Sequence, residues 1–96
     1  MNEELLKEKT LSLTISSEGK TMEELYNSIL LKLRKEVYAK AGGYLIQMVP
    51  LSFVVKDYHT EEKIEKFLLL FLPKKRVKYF LTAEITVKVK ILNSIR

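Results

Sequence analysis

"RVKYFLTAEITVKVKIL", residues 76–92, is the most regular segment of the chain, because apolar and polar residues alternate along it. The apolar positions are Val77, Tyr79, Leu81, Ala83, Ile85, Val87, Val89 and Ile91. Strict alternation with a period of two predicts a β-strand that buries one face. The fifteen residues from 77 to 91 would span roughly 50 Å at about 3.4 Å per residue. Ordinary strands are much shorter, so we expect this one to curl around a helix or to project into a partner subunit.

Residues 21–41 are predicted to form a long amphipathic helix. Thr21 and Glu24 have the spacing of a capping box, in which each side chain satisfies an exposed backbone amide. Apolar residues then recur every three or four positions and form one stripe. The stripe comprises Met22, Leu25, Tyr26, Ile29, Leu33 and Val37, and Leu30 and Leu31 widen it. Gly42 and Gly43 end the helix, since glycine accepts the left-handed conformation of a C-terminal cap.

Two further strands are predicted before the last one. In "KTLSLTIS", residues 9–16, leucine and isoleucine alternate with serine and threonine, which indicates a half-buried strand. "YLIQMVPLSFVVKDY", residues 44–58, alternates in the same way but shifts phase by one residue at Pro50. A β-bulge explains such a shift and is a place where a strand tolerates proline. The alternative is that both faces of this strand are buried, one of them by another subunit.

Residues 57–75 are predicted to form an insert between the second and third strands. Thr60 is a suitable N-cap for a short second helix led by Glu61 and Glu62, and a proline downstream would end that helix. Because residues 66–72 are apolar on all sides, a strand remains the alternative there.

Six consecutive apolar residues lie within this insert. They are Phe67, Leu68, Leu69, Leu70, Phe71 and Leu72. The run is far shorter than the roughly 20 residues that a membrane-spanning helix needs. It is also too apolar for an isolated surface helix, so we expect it to contact a neighbouring subunit. Burial in the chain's own core and contact with a membrane partner are the alternatives.

These elements predict an α+β fold of two layers, in which a curved antiparallel three-stranded sheet wraps around one long helix in the order β-α-β-(short α)-β. The 96 residues fit a single domain, with frayed ends at residues 1–9 and 92–96. A core of this size leaves little surplus stability, and oligomerisation is a common supplement.

The positive charge of the chain is concentrated at its C-terminal end. Residues 1–73 carry ten Lys and Arg against eleven Asp and Glu, whereas residues 74–96 carry seven against one. The basic surface predicted from this excess consists of Lys74, Lys75, Arg76, Lys78, Lys88 and Lys90. A solvated strand face whose lysines oppose edge-to-edge aggregation accounts for such a surface. Nucleic-acid binding is not favoured, because Phe80 is the one aromatic residue of this strand that would face outward with the cations.

No group of residues in the sequence is typical of an active site. The chain has no cysteine, and its three glycines lack the spacing of a phosphate-binding loop. His59 with Asp57, Glu61 and Glu62 is a candidate metal site, but a solvated loop is the favoured interpretation. We therefore expect a protein that is not an enzyme and that has no cofactor and no metal site. The acidic start of the chain does not fit a signal peptide, and we expect a cytoplasmic location.

The strand, the capped helix and the two long antiparallel strands resemble the layout of dodecins over residues 10–56 and 77–91. Dodecins are small oligomeric flavin binders that stack the isoalloxazine ring on a tryptophan near the start of the second strand. This chain has no tryptophan, and Tyr44 is the nearest residue to that place. The resemblance implies a small-ligand binding oligomer with Tyr44 and Gln47 near the ligand, and it transfers no flavin-binding residue.

A second resemblance covers nearly the whole chain and is carried by "KEKTLSLTISSEGKTMEELYNSILLKLRKEVY", "IQMVPL", "EKFLLLFLP" and "ITVKVK". These segments look like the uncharacterised bacterial family called domain of unknown function 4312. That family has no assigned activity or catalytic residues to transfer, and its members are encoded near multi-pass membrane proteins and sugar-acid catabolic enzymes. The resemblance implies an accessory cytoplasmic component of a transport system, with a membrane protein as a partner.

From the residues and the two resemblances together, we expect a non-catalytic, homo-oligomeric, cytoplasmic accessory protein. The alternatives are a small-ligand (flavin-like) binding oligomer and a protein that contacts a membrane or nucleic acid through its basic third strand.

Overall fold

A computed structural model describes residues 4–65 and 74–93 of the chain. Within these ranges the elements are β1 (Leu6–Gly19), α1 (Met22–Lys40), β2 (Tyr44–Glu65) and β3 (Lys74–Leu92). The strands form an open antiparallel sheet in the order β1-β3-β2. The predicted α+β fold class, with one long helix and three antiparallel strands, is confirmed for the described part of the chain.

The central strand of the sheet is β3, the segment with the most regular alternation. Its odd-numbered residues from Leu81 to Ile91 are buried, whereas its even-numbered residues from Phe80 to Lys90 are partly exposed. Because β3 is paired on both sides, its backbone groups are satisfied along most of its length. The segment with the most regular alternation is therefore the central strand, which is hydrogen-bonded to both β1 and β2.

The hydrophobic core lies between α1 and the odd-numbered face of β3, with β1 at one side. One ridge of the helix, formed by residues four positions apart, supplies the helical half of this core. The core consists of Leu13, Ile15, Leu25, Ile29, Leu33, Val37, Ala41, Leu81, Ala83, Ile85, Val87, Val89 and Ile91. Helix α1 packs chiefly on β1 and β3.

Both ends of the helix are where the sequence predicts them. The Thr21 side chain accepts a hydrogen bond of 3.0 Å from the backbone N–H of Glu24, which satisfies one of the free amides of the first turn. At the other end, Lys9 Nζ donates to the Ala41 carbonyl oxygen at 2.8 Å. Gly42 follows with a φ of 76°, a left-handed conformation that favours glycine. The prediction of a helix over 21–41 is confirmed.

Strand β2 contains three bulges along its contact with β3. The register shifts between Leu45 and Gln47, between Pro50 and Ser52, and between Val55 and Asp57. The shift predicted at Pro50 is confirmed, and the other two are additional. The extra residues, 46, 51 and 56, recur every five positions and explain why the 22 residues of β2 pair with only 19 residues of β3. Each bulge bends the strand and increases its twist.

The prediction of an insert at residues 57–75 with a short helix is wrong where the structure describes it. Residues 57–65 continue β2, and β3 already begins at Lys74. Thr60, Glu61 and Glu62 are residues that commonly begin a helix, but they are equally compatible with a polar edge strand. They form a strand here because they pair with β3. In that pairing Glu61 stands directly opposite Lys78, and opposite charges across a ladder are stabilising.

The N-terminal end of the chain also differs from the prediction. Residues 6–9, assigned to a frayed terminus, form the start of β1 and pair with residues 89–92. The long regular β3 provides the partner that these residues need. The backbone N–H of Asn93 then donates to the Leu5 carbonyl oxygen at 2.9 Å.

Gly19 is a position where the fold requires the smallest residue. It is buried at the end of β1, and a Cβ atom there would lie 2.6 Å from the backbone nitrogen of Leu25. We expect Gly19→Ala to lower the free energy of unfolding by about 1–3 kcal/mol, the usual cost of overpacking. Urea unfolding followed by circular dichroism, at one protein concentration, measures the loss.

The control for this substitution is Ser12→Ala, on the exposed face of the same strand. We expect its unfolding midpoint to stay within experimental error of the parent chain. Equal midpoints for the two variants would contradict the close approach of β1 and α1 at Gly19.

Candidate interaction groove

An apolar groove lies between the N-terminal half of α1 and the middle of β2. Its volume is about 690 Å³. The residues that line it are Met22, Tyr26, Leu30, Phe53, Val55, Tyr58 and Leu81. None of these lining side chains carries a formal charge, so the groove suits an apolar occupant rather than an ionic one.

The groove exists because α1 is fixed near β1. The hydroxyl groups of Ser17 on β1 and Ser28 on α1 are hydrogen-bonded to each other. One turn further along, Lys32 Nζ donates to the carbonyl oxygen of Ser16 at 2.8 Å. These contacts hold the helix over β1 and β3, and the helix-side residues of β2 from Phe53 to Tyr58 remain about half exposed.

Three aromatic side chains in the groove remain about half exposed. Tyr26, Phe53 and Tyr58 have exposed fractions of 51%, 44% and 48%. An aromatic residue can bury roughly 150–250 Å², so the three together leave on the order of 300 Å² of surface exposed. With the neighbouring aliphatic groups included, this approaches the largest apolar patches that ordinary monomers carry, about 300–600 Å². The patch makes this groove a candidate binding surface.

The Tyr58 hydroxyl at the groove has a weak partner. The Tyr58 hydroxyl donates to Met22 Sδ at 3.7 Å, and a thioether sulfur is a weak acceptor. The contact connects the first turn of α1 to β2 across the groove. It leaves the tyrosine oxygen able to accept a hydrogen bond from an incoming group.

The predicted basic residues do not form one compact patch in the structure. They occur along β3, at Lys74, Lys75, Arg76, Lys78, Lys88 and Lys90. Lys78 and Lys88 lie on the face away from the helix, ten residues apart, which corresponds to roughly 34 Å. Lys78 Nζ is 3.7 Å from Glu18 and Lys88 Nζ is 3.0 Å from Glu8. Of the basic residues whose side chains the structure describes, Arg76 and Lys78 lie near one end of β3 and Lys88 and Lys90 near the other. Lys78 and Lys88 lie beside acids of β1.

The other residues singled out from the sequence lie away from the groove. Tyr44 begins β2 opposite Leu92 and is highly exposed, and Gln47 is exposed opposite Lys90 on the face away from the helix. The predicted contact segment Phe67–Leu72 lies outside the described residues.

His59 belongs to a small exposed cluster on the face away from the helix. Its Nδ1 is 2.9 Å from Asp57 Oδ2, and its ring stacks on Phe80 with centroids 4.8 Å apart. Glu61 shares that face by alternation, whereas Glu62 points to the opposite one. Within residues 4–65 and 74–93, no group of three or more His, Cys, Asp or Glu side chains is arranged to hold a metal ion.

Sequence reasoning did not identify the groove as a site. It placed Tyr26 and Leu30 in the buried stripe of the helix, and Phe53 and Val55 in an ordinary strand. Two signals pointed to surplus apolar surface. The helical stripe is wider than one row of contacts, and β2 carries valines on both of its faces, at Val54 and Val55.

The fold and the groove define a small two-layer α+β domain with an unpartnered apolar surface beside its helix. The chain belongs to the family described as Domain of unknown function (DUF4312), whose model matches residues 9–92. No curated protein matches the chain. No solved structure matches it either, and the likeness to dodecins stays a prediction.

The described part of the chain also bears on membrane insertion. No helix within it combines the length and the apolar character needed to cross a membrane.

Proposed function

We propose that the protein is a non-catalytic accessory protein that acts by binding other protein chains, beginning with copies of itself. The observation that carries this proposal is the half-exposed apolar groove between α1 and β2. Apolar patches near the upper end of the range found on monomers are often functional. Contact between subunits is one such function, because aromatic residues are enriched in interfaces.

The exposed aromatic area of the groove determines how much further surface a stable interface must bury. Covering on the order of 300 Å² of aromatic surface contributes at most about 7 kcal/mol at roughly 25 cal/mol per Å². Association costs an estimated 4–15 kcal/mol in lost translational and rotational freedom, so the aromatic residues alone would give a weak complex. Stable interfaces bury about 800 Å² on each partner, which means that the contact extends beyond the groove.

The biological setting of this binding is proposed from the sequence. The family resemblance supports an accessory role beside a membrane transport system, and we place the protein in the cytoplasm. Phe67–Leu72, with its six apolar residues, is proposed as a further contact with a subunit or with a membrane-protein partner.

Two neighbouring valines provide a matched test of self-association. Val55 lines the groove, and Val54 points to the opposite face of β2, where it stands opposite Glu84. Their exposed fractions are similar, 54% and 47%. We expect the parent chain to form a discrete oligomer by light scattering, and Val55→Asp to shift it to monomer, because a buried unpaired carboxylate is costly.

Val54→Asp is the control, and we expect it to retain the oligomer. Circular dichroism checks that both variants are folded. We expect both to fold, because each valine is about half exposed in the single chain. A parent chain that is monomeric at micromolar concentration would refute self-association. Equal effects of the two aspartates would show that the groove is not the contact surface.

A second candidate function is binding of a small planar apolar ligand in the same groove. The volume of about 690 Å³ lies within the usual range of roughly 300–1,000 Å³ for ligand sites. Tyr26, Phe53 and Tyr58 supply aromatic surface on two sides, and the Tyr58 hydroxyl is placed to contact a polar edge. This candidate differs from the dodecin expectation, because the groove does not include Tyr44 or Gln47.

Riboflavin is a suitable probe for this candidate, since it is planar and its fluorescence is quenched by stacking on aromatic rings. If the groove binds such molecules, riboflavin fluorescence should fall on titration with the protein. Phe53→Ala should then weaken binding about tenfold or more, whereas Tyr44→Ala should leave it unchanged. Unquenched riboflavin at high protein concentration would rule out the flavin version of the candidate.

A further inference from the structure

We propose that the groove of one copy of this chain is filled by the apolar segment Phe67–Leu72 of a second copy. The segment belongs to the eight residues, 66–73, that connect the end of β2 at Glu65 to the start of β3 at Lys74. The inference rests on the proposed self-association. It adds which part of the second copy enters the groove.

The chemistry of the groove selects this segment within the chain. None of the lining side chains is charged, and a charged residue brought into an apolar groove would lose its hydration at a high cost. Phe67–Leu72 comprises six consecutive apolar residues, and no other apolar run in the chain is longer than three. It is therefore the stretch of the chain that matches the lining whichever way its side chains point.

The segment is too short to reach the groove of its own chain. Because Glu65 pairs with Lys74, residues 66–73 leave and return at the same end of the sheet. Half of this loop, about four residues at about 3.5 Å each, extends roughly 14 Å. Tyr58, the groove residue of β2 nearest to this end, precedes Glu65 by seven residues, which corresponds to roughly 24 Å along the strand. The segment can therefore fill the groove only of another copy.

The length of the groove matches a loop of this size. On α1 the lining residues extend from Met22 to Leu30, and these eight steps along the helix correspond to roughly 12 Å. The loop extends roughly 14 Å from its base. A loop that enters the groove lengthwise would therefore fill it from one end to the other.

The charges around the groove indicate the end at which the loop enters. At one end α1 begins, with Glu23 and Glu24 exposed in its first turn. At the other end Arg34 follows Leu30 one turn later on the same row of the helix. Residues 63–66 and 73–76, at the base of the loop, carry five Lys and Arg against one Glu. Entry at the acidic end brings this basic stretch to the two glutamates and away from Arg34, and complementary charges of this kind orient partners.

The absence of cysteine from the chain allows a direct test by cross-linking of the full-length protein. Val55→Cys places a thiol in the groove, and Leu69→Cys and Leu70→Cys place one at the middle of the segment. Both segment positions are used, because adjacent side chains of an extended chain point in opposite directions. Each segment variant is mixed with Val55→Cys, which carries a size tag, and is treated with a short bismaleimide.

Val54→Cys, with the same size tag, is the control, because Val54 is similarly exposed but lies on the opposite face of β2. We expect at least one segment variant to be linked to Val55→Cys roughly tenfold faster, or more, than to Val54→Cys. The reason is that a bound pair holds its two thiols at a raised effective concentration.

Light scattering of the parent chain and of each variant shows whether the oligomer is retained. An oligomer in which neither segment variant is linked faster to Val55→Cys than to Val54→Cys would overturn the placement of Phe67–Leu72 in the groove and leave self-association intact. A monomeric parent chain would overturn both.

Discussion

Burial of the odd-numbered face of β3 beneath α1 is the interaction on which the rest of the structure depends. Ala83, Ile85, Val87 and Val89 on this face are completely buried, and full burial of a side chain such as isoleucine or valine contributes about 1.5–3 kcal/mol. The same strand is hydrogen-bonded to both β1 and β2. Loss of packing on this face would therefore weaken the helix layer and both strand pairings together.

The groove follows from covering three strands with one helix. A helix with its side chains is about 10–12 Å wide, and neighbouring strands are about 4.8 Å apart, so one helix covers about two strands. The Ser17–Ser28 and Lys32–Ser16 contacts fix which two strands are covered. The helix-side face of β2 is therefore left partly uncovered, and apolar residues on it such as Phe53 and Val55 remain about half exposed.

The sequence was sufficient to predict the elements whose signals are local. Alternation identifies β3, a capping box and two glycines delimit α1, and a phase shift identifies the bulge at Pro50. It was insufficient at residues 57–65, because a polar segment led by threonine and glutamate suits both a helix start and an edge strand. That choice is made by pairing with β3, a contact between residues distant along the chain.

The groove escaped sequence reasoning for a related reason. Periodicity shows that Tyr26 and Leu30 lie on the apolar side of the helix, but it does not show where the helix sits across the sheet. A shift of α1 by one strand would bury both residues and expose the apolar face of β1 instead. Lateral position depends on side contacts such as that between Ser17 and Ser28, which have no recognisable pattern in the sequence.

Chain length explains why surplus apolar surface is compatible with a stable fold. A chain of 96 residues buries a smaller fraction of its surface than a larger domain does, and the described part of the chain supplies one helix of 19 residues to the helix layer. Apolar residues on β2 such as Phe53 and Val55 cannot be buried by that helix. The exposed parts of these side chains can be buried only by another body that fills the helix layer beside α1.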